Sequence, residues 1–444
     1  MATSTTSPPP PHPPLSTLLP SLILGTATFN HQYVTDPLSM PYRDIVARAI
    51  SLGVTAFDTS PYYGPSEILL GEALSALASP PSGLPRSSFT LITKAGRIVL
   101  DEFDYSPAYI RYSVLRSLRR LHTPYLDLVY THDVEFVSPA ETLAAVRELR
   151  RLRDEDGLIR YVGISGFPVD VLAERAEMIL AETGEPLDAV LSYGHFTIQN
   201  RRLGAGWLDG DGAGAGAGAG VDERSSCPLA RLKKAGVDVV LNASMLGMGL
   251  LTSRGIPADP VAVVSPLAKW HPSPPELRIA CKKIAAITEA AAGERLESVA
   301  IRWALEEWAR VGAAAGVGVP SSSDSQLKVG ATVCGVSSIA ELEETVAEWA
   351  GVLSGLEQLA GADKDNTTAT GKYGSARQKK VVDLVQTQLW PALGSWLDYA
   401  WASPGDGFVN TRREEDRGAV PHDDGVMDAY EELKKNAREA SVLR

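Results

Sequence analysis

"AFDTSPYYGPSE" (residues 56–67) ends an apolar run on an acid, Asp58, then passes through a Pro/Gly turn carrying two tyrosines before a helical pattern begins. A β-rich run, a polar residue at its exit, a tight turn and an amphipathic stretch together make one βα unit. Six more runs of this kind follow: "FTLITK" (89–94), "LDLVYTH" (126–132), "YVGIS" (161–165), "DAVLSY" (188–193), "VDVVLNAS" (237–244) and "KVGATVCG" (328–335). With "GVTAFD" (53–58), seven strands are predicted.

Between these runs lie stretches such as "YRDIVARAISLG", "SPAYIRYSVLRSLRRL" and "SPAETLAAVRELRRLRDEDG", with apolar residues three and four apart, Ser or Asp at their starts and Gly at their ends. That is the helical period with helical caps. Residues 251–275 leave room for one further, poorly marked strand, which would make eight units. An open doubly wound sheet would carry GxGxxG after its first strand, and "FDTSPYYG" does not. The fold expected is therefore an α/β closed barrel, the (β/α)8 TIM barrel, spanning about 21–350.

Outside this repeat, residues 1–20 read as a disordered Pro-rich tail, and "GDGAGAGAGAG" lies in a flexible insertion at about 204–224. Residues 312–327 read as a second insertion. Residues 351–444 read as a partly helical, partly disordered C-terminal extension that packs back on the barrel. The chain of 444 residues has a formal charge of −12, which disfavours nucleic acid and anionic membrane surfaces as partners. Three scattered cysteines suggest neither a disulfide framework nor a zinc site. The first basic residue is Arg43, so the start resembles no targeting peptide, and the expected location is cytoplasmic.

In a barrel of this kind the reactive groups gather where the strands end. Asp58 and Tyr63 follow one strand, Lys94 ends the next and His132 the third, and consecutive strands are neighbours. A phenol with a pKa near ~10 gives up its proton more readily beside an ammonium group, and a carboxylate keeps that ammonium charged and oriented. Tyr63 is then the proton-transfer group, Lys94 its modulator, Asp58 the anchor of Lys94, and His132 the group that orients a substrate oxygen. Each residue alone reads equally well as a cap, a surface tyrosine or a solvated strand end. Four of them at successive strand ends do not. No metal-ligand cluster is visible.

These residues, "FDTSPYYG" with Lys94 and "YTHD", resemble the Asp, Tyr, Lys and His tetrad of the aldo-keto reductases, over roughly residues 21–348. Within that family, "GTATFNHQY", "THDVEF", "GISGFP", "LSYGHFTIQN" and "TVCGVSS" resemble the aldose dehydrogenases, the fungal D-arabinose and plant L-galactose enzymes, which oxidise the anomeric carbon of a sugar to a lactone. The resemblance implies a nicotinamide cofactor held by Gly25, Thr26, Ser165, Ser192, Ser244, Leu246, Gly335, Ser337, Ser338, Glu341 and Glu344. It implies a sugar pocket near Phe29, His31, Tyr62 and His195. Two positions depart from the family pattern: Gly166 stands where many relatives carry Asn, and Ala243 where many carry the Tyr that stacks on the nicotinamide.

From Ala331 to Glu348 no Lys or Arg is present to pair with a 2′-phosphate, whereas Glu341 and Glu344 are. An acid repels that phosphate and accepts from a ribose hydroxyl, so NAD is the expected cofactor, with NADP possible. Each glutamate also reads as an ordinary acid in a helical first turn. Two other functions stay open: an NADPH-dependent carbonyl reductase, and a nucleotide-sensing regulatory subunit without turnover. The expected partner is a small-molecule sugar, with no nucleic acid and no membrane, and the expected state is a monomer or homodimer.

Overall fold

In the computed structural model the described residues are 12–208, 226–258, 265–322, 325–361, 375–421, 424–426 and 428. Ten strands are described: β1 (Leu22–Gly25), β2 (Ala56–Asp58), β3 (Thr90–Ala95), β4 (Leu126–His132), β5 (Ile159–Gly166), β6 (Ala189–Tyr193), β7 (Val239–Ala243), β8 (Val319–Pro320), β9 (Lys328–Val329) and β10 (Ala331–Gly335). Eight of these close into a parallel barrel in the order β1-β10-β7-β6-β5-β4-β3-β2, while β8 and β9 form a separate antiparallel pair. The expected α/β barrel is the fold.

The eighth barrel strand is not where the sequence left room for it. Among the described residues of 251–275 there is no strand, and the missing one is β1, whose Gly25 pairs in register with Asp58 and with Gly335. "LILG" is four residues long and apolar almost throughout, too short for a period to declare itself.

Alternation along each strand sends one set of side chains inward. Ile23, Ala56, Ile92, Leu128, Tyr130, Tyr161, Ala189, Leu191, Val239, Leu241, Ala331 and Val333 fill the barrel, and the opposite set packs beneath the helices. Those helices sit close to the expected bounds, for example Pro107–Arg120, Pro139–Asp154 and Leu296–Ala314. The Pro139 helix starts with a full capping box, Ser138 bonding the Glu141 N–H and Glu141 bonding back to the Ser138 N–H.

One expectation about the ends of the chain changes. Part of the Pro-rich segment read as disordered is structured: Leu15 and Leu19 plug the lower end of the barrel and join the interior cluster. The Tyr161 hydroxyl donates to the Pro13 carbonyl at 2.6 Å, and Ser16 N–H donates to Asp238 at 2.7 Å. Two buried leucines contribute roughly 1.5–3 kcal/mol each, enough to fix a short segment. Residues 1–11 lie outside the described residues, as do 209–224 of the Gly/Ala insertion and 362–374.

The C-terminal extension does pack on the barrel. Helix Ala376–Leu384 continues to Leu393 and buries Val381, Val382, Val385, Leu389 and Leu393. Beyond the 3-10 turn Gly394–Trp396 the chain runs along the upper rim, with one further 3-10 turn at Glu414–Asp416. Asp398 pairs with Arg201, Ser403 donates to Glu135 at 3.0 Å, Asn410 bonds both N–H and C=O of Phe103, and Arg412 pairs with Asp104.

Candidate active site

The upper end of β2, β3 and β4 carries the polar residues expected there. The turn after Asp58 is fixed by its own backbone: Tyr63 N–H donates to the Ser60 carbonyl, Ser66 N–H to the Tyr63 carbonyl, and Gly64 adopts φ +56. A left-handed residue at that point costs a side chain dear, which is why Gly is placed there. Helix Ser66–Ala78 follows at once.

Lys94 Nζ donates to Asp58 Oδ1 at 2.6 Å and to the Thr59 carbonyl at 2.9 Å, and both side chains are almost wholly buried. Burial pushes the Asp58 carboxyl up, opposed by Lys94. The Lys94 ammonium lies 4.9 Å from the centre of the Tyr63 ring, and the rings of Tyr63 and His132 meet edge-on at 5.8 Å. The structure thus brings all four tetrad residues together. One part of the expected electrostatics is corrected. The Tyr63 hydroxyl sits well above its ordinary pKa, first because of burial and then because of Asp58 and Asp133, so the resting group is a neutral phenol. His132 is pushed down to about 3 by burial, with Lys94 and Arg97 adding to it against Asp133, and is a neutral imidazole.

Several residues of the site were not singled out from sequence. Asp133, in left-handed conformation at φ 61, pairs with Arg97, whose guanidinium stacks 3.9 Å from the centre of the Tyr62 ring. Ser60 Oγ lies 3.1 Å from His132 Nδ1. Tyr193, the last inward residue of β6, stands in register with Ala243 and packs against the interior cluster. An aromatic ring therefore lies beside the position where the expected stacking Tyr is missing. The inward pattern Ala189, Leu191, Tyr193 is the signal that points to it.

Around the mouth runs an arc of rings, Tyr33, Trp270, His271, Trp401, Phe167 and Tyr193, with neighbouring centroids 4.7–5.6 Å apart. Trp401, from the C-terminal extension, stacks on Phe167 at 12°. Glu135 beneath is raised to about 8 by burial and by Asp133, and accepts from Phe167 N–H and from Ser403. A Cβ on Gly166 would fall on the Glu135 carboxylate, so the Asn many relatives have there would require Glu135 to shift.

The implied cofactor residues are placed unevenly. Gly25 and Gly335 pair in register on β1 and β10, and Gly25 pairs with Asp58, so both glycines stand at the level of the site, with Val333 and Thr28 close against them. Ser165 pairs in register with His132 at the mouth. Thr26 is fully buried; it donates to the Asp58 carbonyl and accepts from Ser66, so it braces β1 rather than facing a ligand. Ser192 shares the outward register of Val190, so alternation turns it away from the mouth that Tyr193 faces. Ser244 is left-handed at φ 58 and half-buried, and Leu246 packs on the core.

At helix Ile339–Gly361, Ser338 Oγ accepts the Glu341 N–H, while Glu341 accepts from Ser337 N–H at 2.7 Å. Glu344 is corrected as a ribose acceptor: it is engaged by Arg295 and by the Ser298 hydroxyl.

Of the implied pocket residues, Tyr62 stands beside His132 at 5.8 Å and accepts from Gln32. The other three are corrected. Phe29 is fully buried in the core, His31 is exposed and bonded to the Thr35 carbonyl, and His195 is buried under Phe167 at 4.1 Å, its pKa held down to about 3 by burial. Among the described residues no group of three or more His, Cys, Asp or Glu is placed to hold a metal, and no helix is long and apolar enough to cross a membrane.

A closed eight-stranded parallel barrel with Asp, Tyr, Lys and His converging at its upper end defines a barrel oxidoreductase of the aldo/keto reductase class, and residues 21–357 match the family model described as "Aldo/keto reductase family". The chain belongs to that family. It is 40% identical over 308 residues to the D-arabinose 1-dehydrogenase of Saccharomyces cerevisiae, covering 69% of this chain and 81% of the relative. It is 30% identical over 353 residues to the L-galactose dehydrogenase of Arabidopsis thaliana, covering 78% and 86%. A solved glycerol dehydrogenase from Gluconobacter oxydans shares the fold with a TM-score of 0.51 at 20% identity, covering 86% of this chain and 94% of that one. Members of the family use nicotinamide cofactors.

Proposed function

We propose that the protein is an NAD-dependent aldose 1-dehydrogenase that oxidises the anomeric carbon of a sugar such as D-arabinose, L-galactose or L-fucose to the lactone. The observation that carries this reading is the buried Lys94–Asp58 pair set under Tyr63 and His132 at a mouth walled by aromatic rings. When bound, the nicotinamide supplies a hydride acceptor.

The chain's own residues do the rest. Tyr63 takes the proton of the anomeric hydroxyl as its phenolate, the form that Lys94, fixed by Asp58, stabilises; the resting phenol first gives its own proton to solvent, and the site regains the phenol when the substrate proton arrives. His132, neutral, donates a hydrogen bond to the same oxygen and orients it. The arc of rings with the polar edges of Tyr62, Arg97 and Asp133 suits the faces and hydroxyls of an uncharged sugar.

NAD is favoured over NADP because Glu341 already places a carboxylate at the helix N-terminus, where it would repel a 2′-phosphate. Among the described residues, Arg48, Arg295, Arg302 and Arg377 approach this segment from elsewhere, and all are paired, with Glu343, Glu344 and Glu348. The carbonyl-reductase reading needs a free basic clamp, and these four arginines are engaged. The regulatory-subunit reading is disfavoured by the assembled tetrad.

The test is the initial rate of NADH or NADPH formation and consumption. NAD and NADP are crossed against D-arabinose, L-galactose and L-fucose, and NADPH against a simple aldehyde. Sugar oxidation preferring NAD is the expected outcome. Aldehyde reduction by NADPH without sugar oxidation would replace this reading with the carbonyl reductase, and cofactor binding without any turnover would replace it with the sensor.

A further inference from the structure

We propose that Ser60 is a positioning residue that sets the tautomer of His132, placing the ring proton on Nε2, where it can be given to the substrate oxygen. The inference rests on the reading above, in which His132 orients that oxygen.

Ser60 is fully buried in the turn between Asp58 and Tyr63. Its Oγ accepts the Tyr62 N–H at 3.1 Å and lies 3.1 Å from His132 Nδ1. A hydroxyl carries one proton. Here the ring nitrogen is the acceptor in reach of it, which favours a lone pair on Nδ1 and the proton of the neutral ring on Nε2.

The other side of the ring agrees. Nε2 lies 3.6 Å from Asp133 Oδ2, and an ionised carboxylate accepts only. Asp133 is held in place by its ion pair with Arg97 and by its own N–H, which donates to the Ser165 carbonyl at 2.8 Å. With the proton on Nδ1 instead, the Ser60 proton would have no acceptor in a buried site, and the Nε2 lone pair would face a carboxylate. Both ends of the imidazole select the same form. The Ser60 carbonyl also accepts the Tyr63 N–H, so one residue fixes both the phenol's backbone and the imidazole's proton.

A plain turn cap would explain the Tyr62 bond but would not govern the ring. Long-range proton–nitrogen correlation on the full-length protein, labelled with ¹⁵N in the histidine rings, separates the two. The His132 signals are assigned by their disappearance in His132→Asn. In the wild type a protonated Nε2 and an unprotonated Nδ1 are expected, and Ser60→Thr, which keeps the hydroxyl, should preserve that pattern. Ser60→Ala should give a mixture of tautomers and lower kcat for sugar oxidation about ten- to hundredfold, with KM for NAD within about twofold.

A wild-type ring protonated on Nδ1 overturns the proposal, as does a Ser60→Ala spectrum identical to the wild type. Should Ser60→Ala fail to fold, the wild-type spectrum decides alone. Absence of turnover on every sugar would sink the proposed function and leave the spectroscopic result standing.

Discussion

The two ends of this barrel are built from opposite materials. The lower end is closed by Leu15, Leu19 and Val319, apolar side chains that continue the interior layers outward. The upper end buries Asp58, Lys94, His132 and Asp133 within a few residues of one another in the chain or the sheet. Burying apolar groups stabilises without direction; burying charges costs stability unless each finds a partner. The lower end is therefore where the fold gains stability, and the upper end is where it holds groups in states water would not allow.

That contrast breaks most sharply at Tyr63. Tyr63→Phe should leave the fold and thermal midpoint nearly unchanged while lowering kcat for sugar oxidation by about 10²–10⁴. A residual rate within tenfold of the wild type would remove Tyr63 from the proton path.

Next in size come two stability measurements by urea unfolding. Lys94→Met strands the buried Asp58 charge and should cost about 3–5 kcal/mol, much of it recovered when Asp58→Asn is added. Leu15→Ala should cost about 2–5 kcal/mol by leaving a cavity, yet leave kcat per folded molecule unchanged. If Leu15→Ala altered kcat as strongly as stability, the two ends could not be separated in this way.

The pH dependence sharpens the picture of the upper end. Because Tyr63 holds its proton more tightly than an ordinary phenol, sugar oxidation should climb with pH from about 7 to about 10, by at most about tenfold per unit. His132, held near 3, should add no inflection around its ordinary value. A profile that is flat across that range would mean the proton leaves by another group.

The smallest effect is expected at the rim. Trp401→Ala removes the ring stacked on Phe167 and should raise KM for the sugar by about tenfold or less, with kcat and stability little changed. An unchanged KM for every sugar tested would take the C-terminal extension out of the substrate wall.

Legibility in the sequence follows the same division. The tetrad could be read because Asp58 and His132 end strands whose period is clear, Lys94 stands one residue before the end of another, and those strands are consecutive. Arg97 and Asp133 lie three and one residues beyond Lys94 and His132, yet nothing local shows that they pair with each other. β1 escaped because four apolar residues carry no period. The lower plug escaped because a Pro-rich context hid two leucines whose partners are in β5 and beyond. Phe29 and His195 were misplaced for a related reason: a rim residue and a core residue look alike until the burial of both is known. Glu344 looked free because Arg295 is 49 residues away in sequence.

The C-terminal segment along the rim has a consequence in time. The Lys94–Asp58 bond joins residues 36 apart and the Ser60–His132 contact residues 72 apart, while Ser403 meets Glu135 across 268 residues and Asn410 meets Phe103 across 307. Closing the longer loops costs more chain entropy, so the acid–base groups should assemble before the wall that encloses them. On refolding, recovery of affinity for the sugar should lag behind recovery of helical circular dichroism, and simultaneous recovery would show that barrel and rim form in one step. The chain would then pass through a stage with competent chemistry and an unfinished filter, in which selectivity is the last property the molecule acquires.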